Sequence, residues 1–411
     1  MSEDEDLAAA QPGGIEPQKR RRLSDEERKV IALARHRPVP DPEDPRKNRL
    51  PTWDELAVQF DREPHILRNA VEEAFCRRLV KTIELPKPPV ECGRVESLEI
   101  ELRNTYPKLQ VALVLDTEPV LRDTQGPLAD DESHRVLGHA VAKLMADGLV
   151  FGNHSTIGLG AGRGVYYTVD AFSAREPLLR EGIIVVSLTG SVEARDYLGN
   201  VAFNMDADIH GLMMVKCFHG ASVRFICAPI AGSDPLGLQR IRSQTVLAAD
   251  AWREQTPTHA LVGVGVLARG HRFYEEIKNP RRNSVLAPIQ GHLRTLIECC
   301  EEIHQMVRGR SDVRNYYPVA DICHRLFFVP PPSAAALDKT LHSRVDALIG
   351  EVNSRMLTVS HEQLQSIGKI IVVAGTDRKA RAIQELLDGE KYNIHLLCTD
   401  KRAALKILHR D

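Results

Sequence analysis

The sequence predicts an α/β fold, with an open and mostly parallel sheet covered on two faces and a small helix-turn-helix module ahead of it. Three observations carry that expectation. From Val95 onward, short apolar runs alternate with helical patterns, as strands joined by crossover helices do. The chain ends in two such units, one across Lys369–Leu387 and one from His395 to Leu408. Between Thr52 and Phe75 a short helical pattern, a tight turn and a longer helical pattern follow one another.

Residues 1–22 open acidic, pass through Gln-Pro-Gly-Gly and end in Lys19-Arg20-Arg21-Arg22, and are expected to form a disordered tail. A module over 23–85 follows. Ser24 and Glu27 make a capping box for a first helix. The Pro38–Pro51 stretch holds four prolines before Leu50 and is expected to lack regular structure. Thr52 and Glu55 cap a helix to Phe60. After Asp61-Arg62, Pro64 starts a second helix, whose Leu67, Val71, Ala74 and Phe75 keep helical spacing. Val80–Leu85 is strand-like, which gives the module a winged-helix outline, and 86–94 is a proline-stiffened linker.

The larger domain is expected over 95–411. A helix to about Asn104 leads to a strand at Gln110–Leu115, and a helix from Ser133 to Leu149 leads to a strand at Thr156–Leu159. Further strands are expected at Ile183–Leu188, Ser222–Ala228 and Leu261–Val266. The closing units place strands at Ile370–Val373 and His395–Cys398, with Asp377 opening one helix and Thr399-Asp400 capping the other.

Composition narrows the function. The 411 residues carry a formal net charge of −2, so positive surface for nucleic acid must be local. No apolar run approaches the ~20 residues that span a bilayer, and MSEDEDLAAA lacks a signal-peptide core. A cytoplasmic protein without a membrane partner is expected. None of the eight cysteines falls in C-x-x-C spacing, so reduced core thiols are expected. No metal and no cofactor is expected. His134 and His139, five apart, cannot share a helix face.

Several motifs bear on chemistry. In a DNA-reading module the second helix enters the major groove by its first residues, here Glu63, His65, Arg68 and Asn69. Arg and Asn pair with guanine and adenine edges, while Arg62, Arg77 and Arg78 would lie nearer phosphates. The same outline suits a dimerisation or docking domain, because Lys19–Lys81 holds sixteen basic against twelve acidic residues. After the Thr156–Leu159 strand, Gly158, Gly160, Gly162 and Gly164 alternate, which is neither G-x-G-x-x-G nor a P-loop. Glycines ending a strand before a helix let backbone approach an anion, and Arg163 adds a guanidinium. The corner Ala374-Gly375 before Asp377 points amide N–H groups and a helix dipole at one spot, with Lys379 beside them. Gly190 ends another strand. Arg269 and Arg272 follow the Leu261 strand, and Asp321 is an acid between apolar residues. No nucleophile elbow or paired-carboxylate motif stands out, so no enzymatic activity is expected.

Taken in order, these pieces resemble the SorC family of bacterial sugar-responsive transcriptional regulators. The resemblance runs from about Thr52 to Leu408. It rests on Leu98-Glu-Ile-Glu-Leu102, His139-Ala-Val-Ala-Lys-Leu144, Ile157–Arg163, Val185-Val-Ser-Leu-Thr-Gly190 and Cys227-Ala-Pro229. Its most specific matches are Val373-Ala-Gly-Thr-Asp-Arg-Lys-Ala-Arg-Ala-Ile383 and Leu397-Cys-Thr-Asp-Lys-Arg-Ala-Ala404. It implies an effector domain related to the ribose-5-phosphate isomerase and glucosamine-6-phosphate deaminase fold, and an N-terminal domain that binds double-stranded operator DNA. It also implies a homodimer or homotetramer. The implied effector is a phosphorylated sugar held by the loops of Gly160, Gly162, Arg163, Gly164 and Gly190. Lys379 and Asp321 would contact it, with Arg269 or Arg272 as a further cation. The chain departs from the family where Gly164 replaces a threonine, where Gly190-Ser191 replaces Gly-Gly, and where Glu63-Pro64 and Arg68-Asn69 replace paired Ser-Arg steps. Two alternatives stay open: a sugar-phosphate isomerase or deaminase with Asp321 as base, and a sensor whose N-terminal domain docks protein.

Overall fold

The computed structural model describes residues 23–24, 27–28, 31, 39–40, 48–49, 53–64, 66–67, 70, 92–121, 127–147, 150–175, 177–191, 206–268, 273–274, 277, 284–307, 316–331, 339–389 and 391–408. The chain divides into two compact units, Met1–Pro89 and Val90–Asp411.

In the first unit the Ser24 capping box forms in both directions. The Ser24 N–H donates to the Glu27 carboxylate at 2.6 Å, and the Glu27 N–H donates to Ser24 Oγ at 3.2 Å. Helix α1 (Trp53–Phe60) ends at Asp61, whose φ of +48° is a left-handed conformation that Asp tolerates. Arg62 N–H then donates to the Ala57 carbonyl at 3.2 Å. Helical backbone resumes at Pro64, Ile66, Leu67 and Ala70, and Leu56 and Leu67 are fully buried. The proline-rich stretch is not wholly irregular. Val39–Pro40 pairs antiparallel with Asn48–Arg49, because a two-residue pairing tolerates a proline that lacks a donor. The tail, the Val80–Leu85 strand and the linker up to Glu91 lie outside the described residues.

The second unit begins with α2 (Glu96–Thr105), β1 (Val111–Leu115), α3 (Pro127–Ala146), β2 (Thr156–Leu159) and α4 (Arg163–Ser173). It continues with β3 (Ile184–Ser187), α5 (Ala207–Val215), β4 (Ser222–Arg224), α6 (Pro235–Ser243), β5 (His259–Val262) and β6 (Val264–Val266). Then come α7 (Gln290–Val307), β7 (Val319–Ile322), β8 (Arg325–Phe328), α8 (Lys339–Ser354) and α9 (His361–Ser366). The close is β9 (Lys369–Val373), α10 (Ala380–Asp388), β10 (Ile394–Asp400) and α11 (Lys401–Ile407). Seven strands form one sheet in the order β1-β10-β9-β5-β2-β3-β4, and every neighbouring pair is parallel.

Side-chain alternation explains why both faces are covered. Ala112, Val114, Ala260, Val262, Ile370 and Val372 enter the core under α10 and α11. Leu113, Leu115, Leu261, Ile371 and Val373 enter the core under α3 and α4. A parallel sheet buried this way reads as continuous apolar runs. From β2 the chain winds outward through β3 and β4, then returns to β5 on β2's other side. The order therefore reverses between β2 and β5, and in open α/β sheets ligands bind beyond the carboxyl ends at such a point.

Four expectations are corrected. The Leu261–Val266 run is two strands in different sheets. β5 ends at Val262, and after Gly263 β6 joins a three-stranded antiparallel sheet of order β8-β7-β6. Both halves are apolar, so the run hides the bend, and Gly263 supplies it. β4 stops at Arg224 instead of Ala228, because the Ile226 and Cys227 N–H groups turn to the Asp208 carboxylate at 3.1 and 2.9 Å. α3 starts at Pro127, six residues before Ser133, with proline in the favoured first turn. Finally, a 3₁₀ turn over Asp377–Lys379 precedes α10, so Lys379 sits just ahead of the helix and not inside it.

Candidate functional site

The carboxyl ends of β2 and β9 carry the glycine cluster and the Lys379 corner, with β5 between them. The alternating glycines serve different ends. A Cβ on Gly158 would press Leu188, and one on Gly164 would lie 2.5 Å from the Val373 carbonyl oxygen. Gly164 thus lets α4 begin directly against the end of β9, and no hydroxyl-bearing side chain fits there. Gly160 is fully engaged. Its N–H donates to the Leu261 carbonyl at 3.0 Å, His210 Nδ1 lies 3.0 Å from its carbonyl oxygen, and a Cβ would meet Cys323 Sγ at 3.0 Å.

Gly162 differs from its neighbours. Its φ is +115° and nothing lies within 4 Å of a Cβ built on it. It is the N-cap of α4 and makes no side-chain capping bond. The amino end of an amphipathic helix of 11 residues therefore opens on space, with its dipole uncapped.

Two cations follow the carboxyl ends of β2 and β9, and α3 contacts both. Arg163 Nη1 lies 3.6 Å from Asp131 Oδ1, and Asp131 Oδ2 accepts from the Tyr167 hydroxyl at 2.8 Å. One turn further along α3, His134 Nε2 lies 2.8 Å from Lys379 Nζ, the ammonium donating to the imidazole. Gly138 lets α3 pack closely on α4, since a Cβ there would meet the Thr168 N of α4 at 2.7 Å. The Lys379 side chain thus reaches across the sheet's carboxyl edge to the α3 face. Burial, followed by Asp131, pushes the Tyr167 phenol well above its ordinary range. Burial, with Asp170 and Asp131 behind it, pushes Tyr166 up to about 12. Both phenols remain neutral donors at any physiological pH.

The corner after β9 is less free than its sequence suggests. Thr376 N–H donates to the Asp400 carboxylate, and Asp400 also accepts from Ala403 N–H at 2.9 Å. Asp400 is almost wholly buried, and burial raises its pKa against those hydrogen bonds. A Cβ on Gly375 would collide with this carboxylate. Thr376 itself has φ +78°, a strained conformation for a β-branched residue and one that gathers at binding sites. The Thr376 amide is therefore already taken, and Lys379 carries the positive charge of this corner.

The remaining sequence-derived residues fall elsewhere. Gly190 N–H donates to the Leu357 carbonyl at 2.8 Å, and a Cβ there would meet the Ala228 carbonyl at 2.7 Å, so Gly190 packs one backbone against another. Asp321 is buried and accepts from the His324 N–H at 2.9 Å, closing the β7–β8 turn. In that turn Cys323 and His324 have φ of +52° and +61°. Arg62 is exposed at its turn. His65, Arg68, Asn69, Arg77, Arg78, Arg269 and Arg272 lie outside the described residues. The sequence reading missed Asp131, His134, His210 and Asp400 as parts of the site. Asp131 and His134 show i,i+3 spacing, but that signal is visible only once α3 is known to begin at Pro127. Among the described residues no group of His, Cys, Asp and Glu could hold a metal ion, and no helix is long and apolar enough to cross a membrane.

Residues 347–409 match a family model described as "Putative sugar-binding domain"; they hold β9, the Lys379 corner, β10 and α11. No curated protein matches the sequence. Among solved structures, a transcriptional regulator from Streptococcus pneumoniae TIGR4 is 17% identical, with a TM-score of 0.52, covering 77% of this chain and 97% of that one. The full-length sorbitol operon regulator SorC from Klebsiella pneumoniae is 17% identical, with a TM-score of 0.50, covering 87% of this chain and 94% of its own. The fold is that of these two regulators.

Proposed function

We propose that this chain is a cytoplasmic DNA-binding transcriptional regulator whose larger domain senses a phosphorylated sugar. The observation that carries the reading is the uncapped amino end of α4, where Gly162 faces open space beside Arg163, with Lys379 following the end of β9 against which α4 begins. A helix amino end with two cations suits a phosphate, and the family match across residues 347–409 includes Lys379. Effector domain 95–411 would bind the sugar phosphate, and module 23–85 would bind operator DNA through His65, Arg68 and Asn69. Support for the module comes from the helix, turn and resumed helix after Trp53. The full-length SorC comparison also reaches 87% of this chain, against 77% for the Streptococcus regulator. Paired recognition helices require a dimer or tetramer, and the effector would act by shifting protomer packing. Asp321, the one candidate base, is buried in its own hairpin turn, which favours binding over catalysis.

A thermal-shift screen of the full chain against phosphorylated sugars tests the reading. A true effector raises Tm progressively with concentration and changes salt-sensitive retention of the protein on its operator. If no phosphorylated sugar stabilises the protein more than inorganic salt of equal ionic strength, the effector assignment fails. If Arg68→Ala leaves retention on every DNA fragment unchanged, the DNA assignment fails.

A further inference from the structure

Thr376 holds a backbone conformation that its own side chain disfavours. Its φ is +78° and its ψ is +143°, beside a region that almost only glycine populates. For a β-branched residue this is a genuine outlier, and such strain persists only where surrounding contacts fix it. The fixing contacts come from the end of β10. The buried Asp400 carboxylate accepts from the Thr376 N–H and, at 2.9 Å, from the Ala403 N–H of α11. Charge-assisted bonds of this kind are strong. At the preceding residue, Gly375, a Cβ would strike both Asp400 and Leu137.

The described contacts of the threonine side chain do not offset the strain. Thr376 stands just before the 3₁₀ turn Asp377–Lys379, where a hydroxyl ordinarily accepts from the amides ahead, yet no side-chain capping bond forms. The turn closes on backbone instead, with the Lys379 N–H donating to the Thr376 carbonyl at 3.0 Å. Among the described residues Thr376 Oγ1 has no hydrogen-bond partner, and the residue is half-buried. Glycine would make the same turn without strain. A threonine kept there points to a use for its hydroxyl outside the fold.

The surroundings indicate that use. Thr376 follows the end of β9 and opens the turn that carries Lys379. A Cβ on Gly263, after β5, would lie 3.9 Å from both the Ala161 carbonyl of the glycine loop and the Val373 carbonyl of β9. The ends of β2 and β9 therefore converge on one glycine. The loop brings no hydroxyl of its own, since Gly162 has no side chain and none fits at Gly164.

We propose that Thr376 is a ligand-binding residue of the effector site, its hydroxyl donating to a phosphate oxygen of the sugar phosphate. The inference rests on the sugar-phosphate reading above and adds one residue to it. Asp400 holds the strained backbone in place, and the hydroxyl finds its acceptor in the ligand.

The test titrates the full chain with inorganic phosphate, with chloride at matched ionic strength as the control and Tm as the readout. In the parent, phosphate is expected to raise Tm beyond chloride. Thr376→Val keeps the branched shape and removes the hydroxyl. Its Tm in chloride is expected within about 2 °C of the parent's, while its apparent phosphate affinity falls about tenfold. Thr376→Ser keeps the donor and is expected to bind phosphate within about threefold of the parent. Thr376→Gly is expected to raise Tm in chloride by relieving the strain, and to lose affinity as Thr376→Val does. The proposal is overturned if Thr376→Val binds phosphate like its parent, if Thr376→Ser loses as much as Thr376→Val, or if Thr376→Gly melts below the parent in chloride. A parent that gains nothing from phosphate over chloride also overturns it. The reading beneath it falls only if the phosphorylated sugars fail as well, so the two are told apart.

Discussion

The two ends of the parallel sheet are built from the same strands and are finished in opposite ways. At the amino end, polar groups close on one another. Thr258 Oγ1 accepts from the Thr156 N–H and donates to its carbonyl, both at 3.1 Å. Gly368 N–H donates to the Pro257 carbonyl at 3.2 Å, and the His259 ring stands edge-on to Phe151. At the carboxyl end, Gly162 faces space, α4 is uncapped, Arg163 pairs with a half-exposed carboxylate and Lys379 meets an imidazole. The difference shows where stability and function part company. One end is closed by hydrogen bonds between neighbouring connections, whereas the other places positive charge after the strands' carboxyl ends.

The comparison can be broken in four ways. The largest effect is expected from Gly164→Val, which drives a branched side chain into the Val373 carbonyl. Overpacking against backbone should cost about 3 kcal/mol or more, read as a lower urea midpoint. Gly152→Ala, near the amino end with nothing within 4 Å of its Cβ, should stay within about 0.5 kcal/mol. Equal losses from the two would mean that the carboxyl-end glycines are not packing devices.

Lys379→Ala comes next. A charge-assisted contact is worth about 1.5–3 kcal/mol, so titration calorimetry should show sugar-phosphate affinity falling roughly tenfold to a hundredfold while Tm without ligand hardly moves. Undiminished affinity would remove Lys379 from the site. A smaller effect is expected from Asp131→Asn, which frees Arg163 from a half-exposed ion pair worth no more than about 1 kcal/mol. Affinity should then rise a few-fold, and a fall would make Asp131 a ligand contact instead of a competitor.

The last effect concerns acid. Burial, aided by Lys369 and His395, lowers the His259 pKa to about 4, against about 6.5 in an unfolded chain. The unfolded state binds the proton first, so this residue's contribution is whole above about pH 6.5 and is lost as pH falls toward 4. Its slope is at most about 1.4 kcal/mol per pH unit. His259→Phe should flatten the acid limb of a stability-pH profile by no more than that, and leave sugar-phosphate binding unchanged at neutral pH.

Much of the fold was legible because it obeys local rules. The strand at Thr156–Leu159 appears where expected, and Asp400 caps α11 as its position before Lys401 suggests. Misreadings occurred where tertiary context overrode a local signal. The Leu261–Val266 run is uniformly apolar, so nothing local reveals that its halves serve two sheets. The amides after β9 looked available for an anion, and only folding brings Asp400 from the next strand to occupy the one at Thr376. Of the glycines in the α4 loop, pattern alone could not tell Gly162, which opens the site, from Gly160 and Gly164, which close the packing around it.

The order of apolar runs, glycine corners and capping residues in the chain was enough to specify a parallel sheet with helices on both sides, since each depends on neighbours a few residues away. Which polar groups meet across the sheet's edge was decided by the fold alone. Lys379 and His134 lie 245 positions apart, and only the crossing of chain connections over the sheet's edge makes them partners. Electrostatic interaction falls off with distance in space, not along the chain, so no reading of spacing could have supplied it.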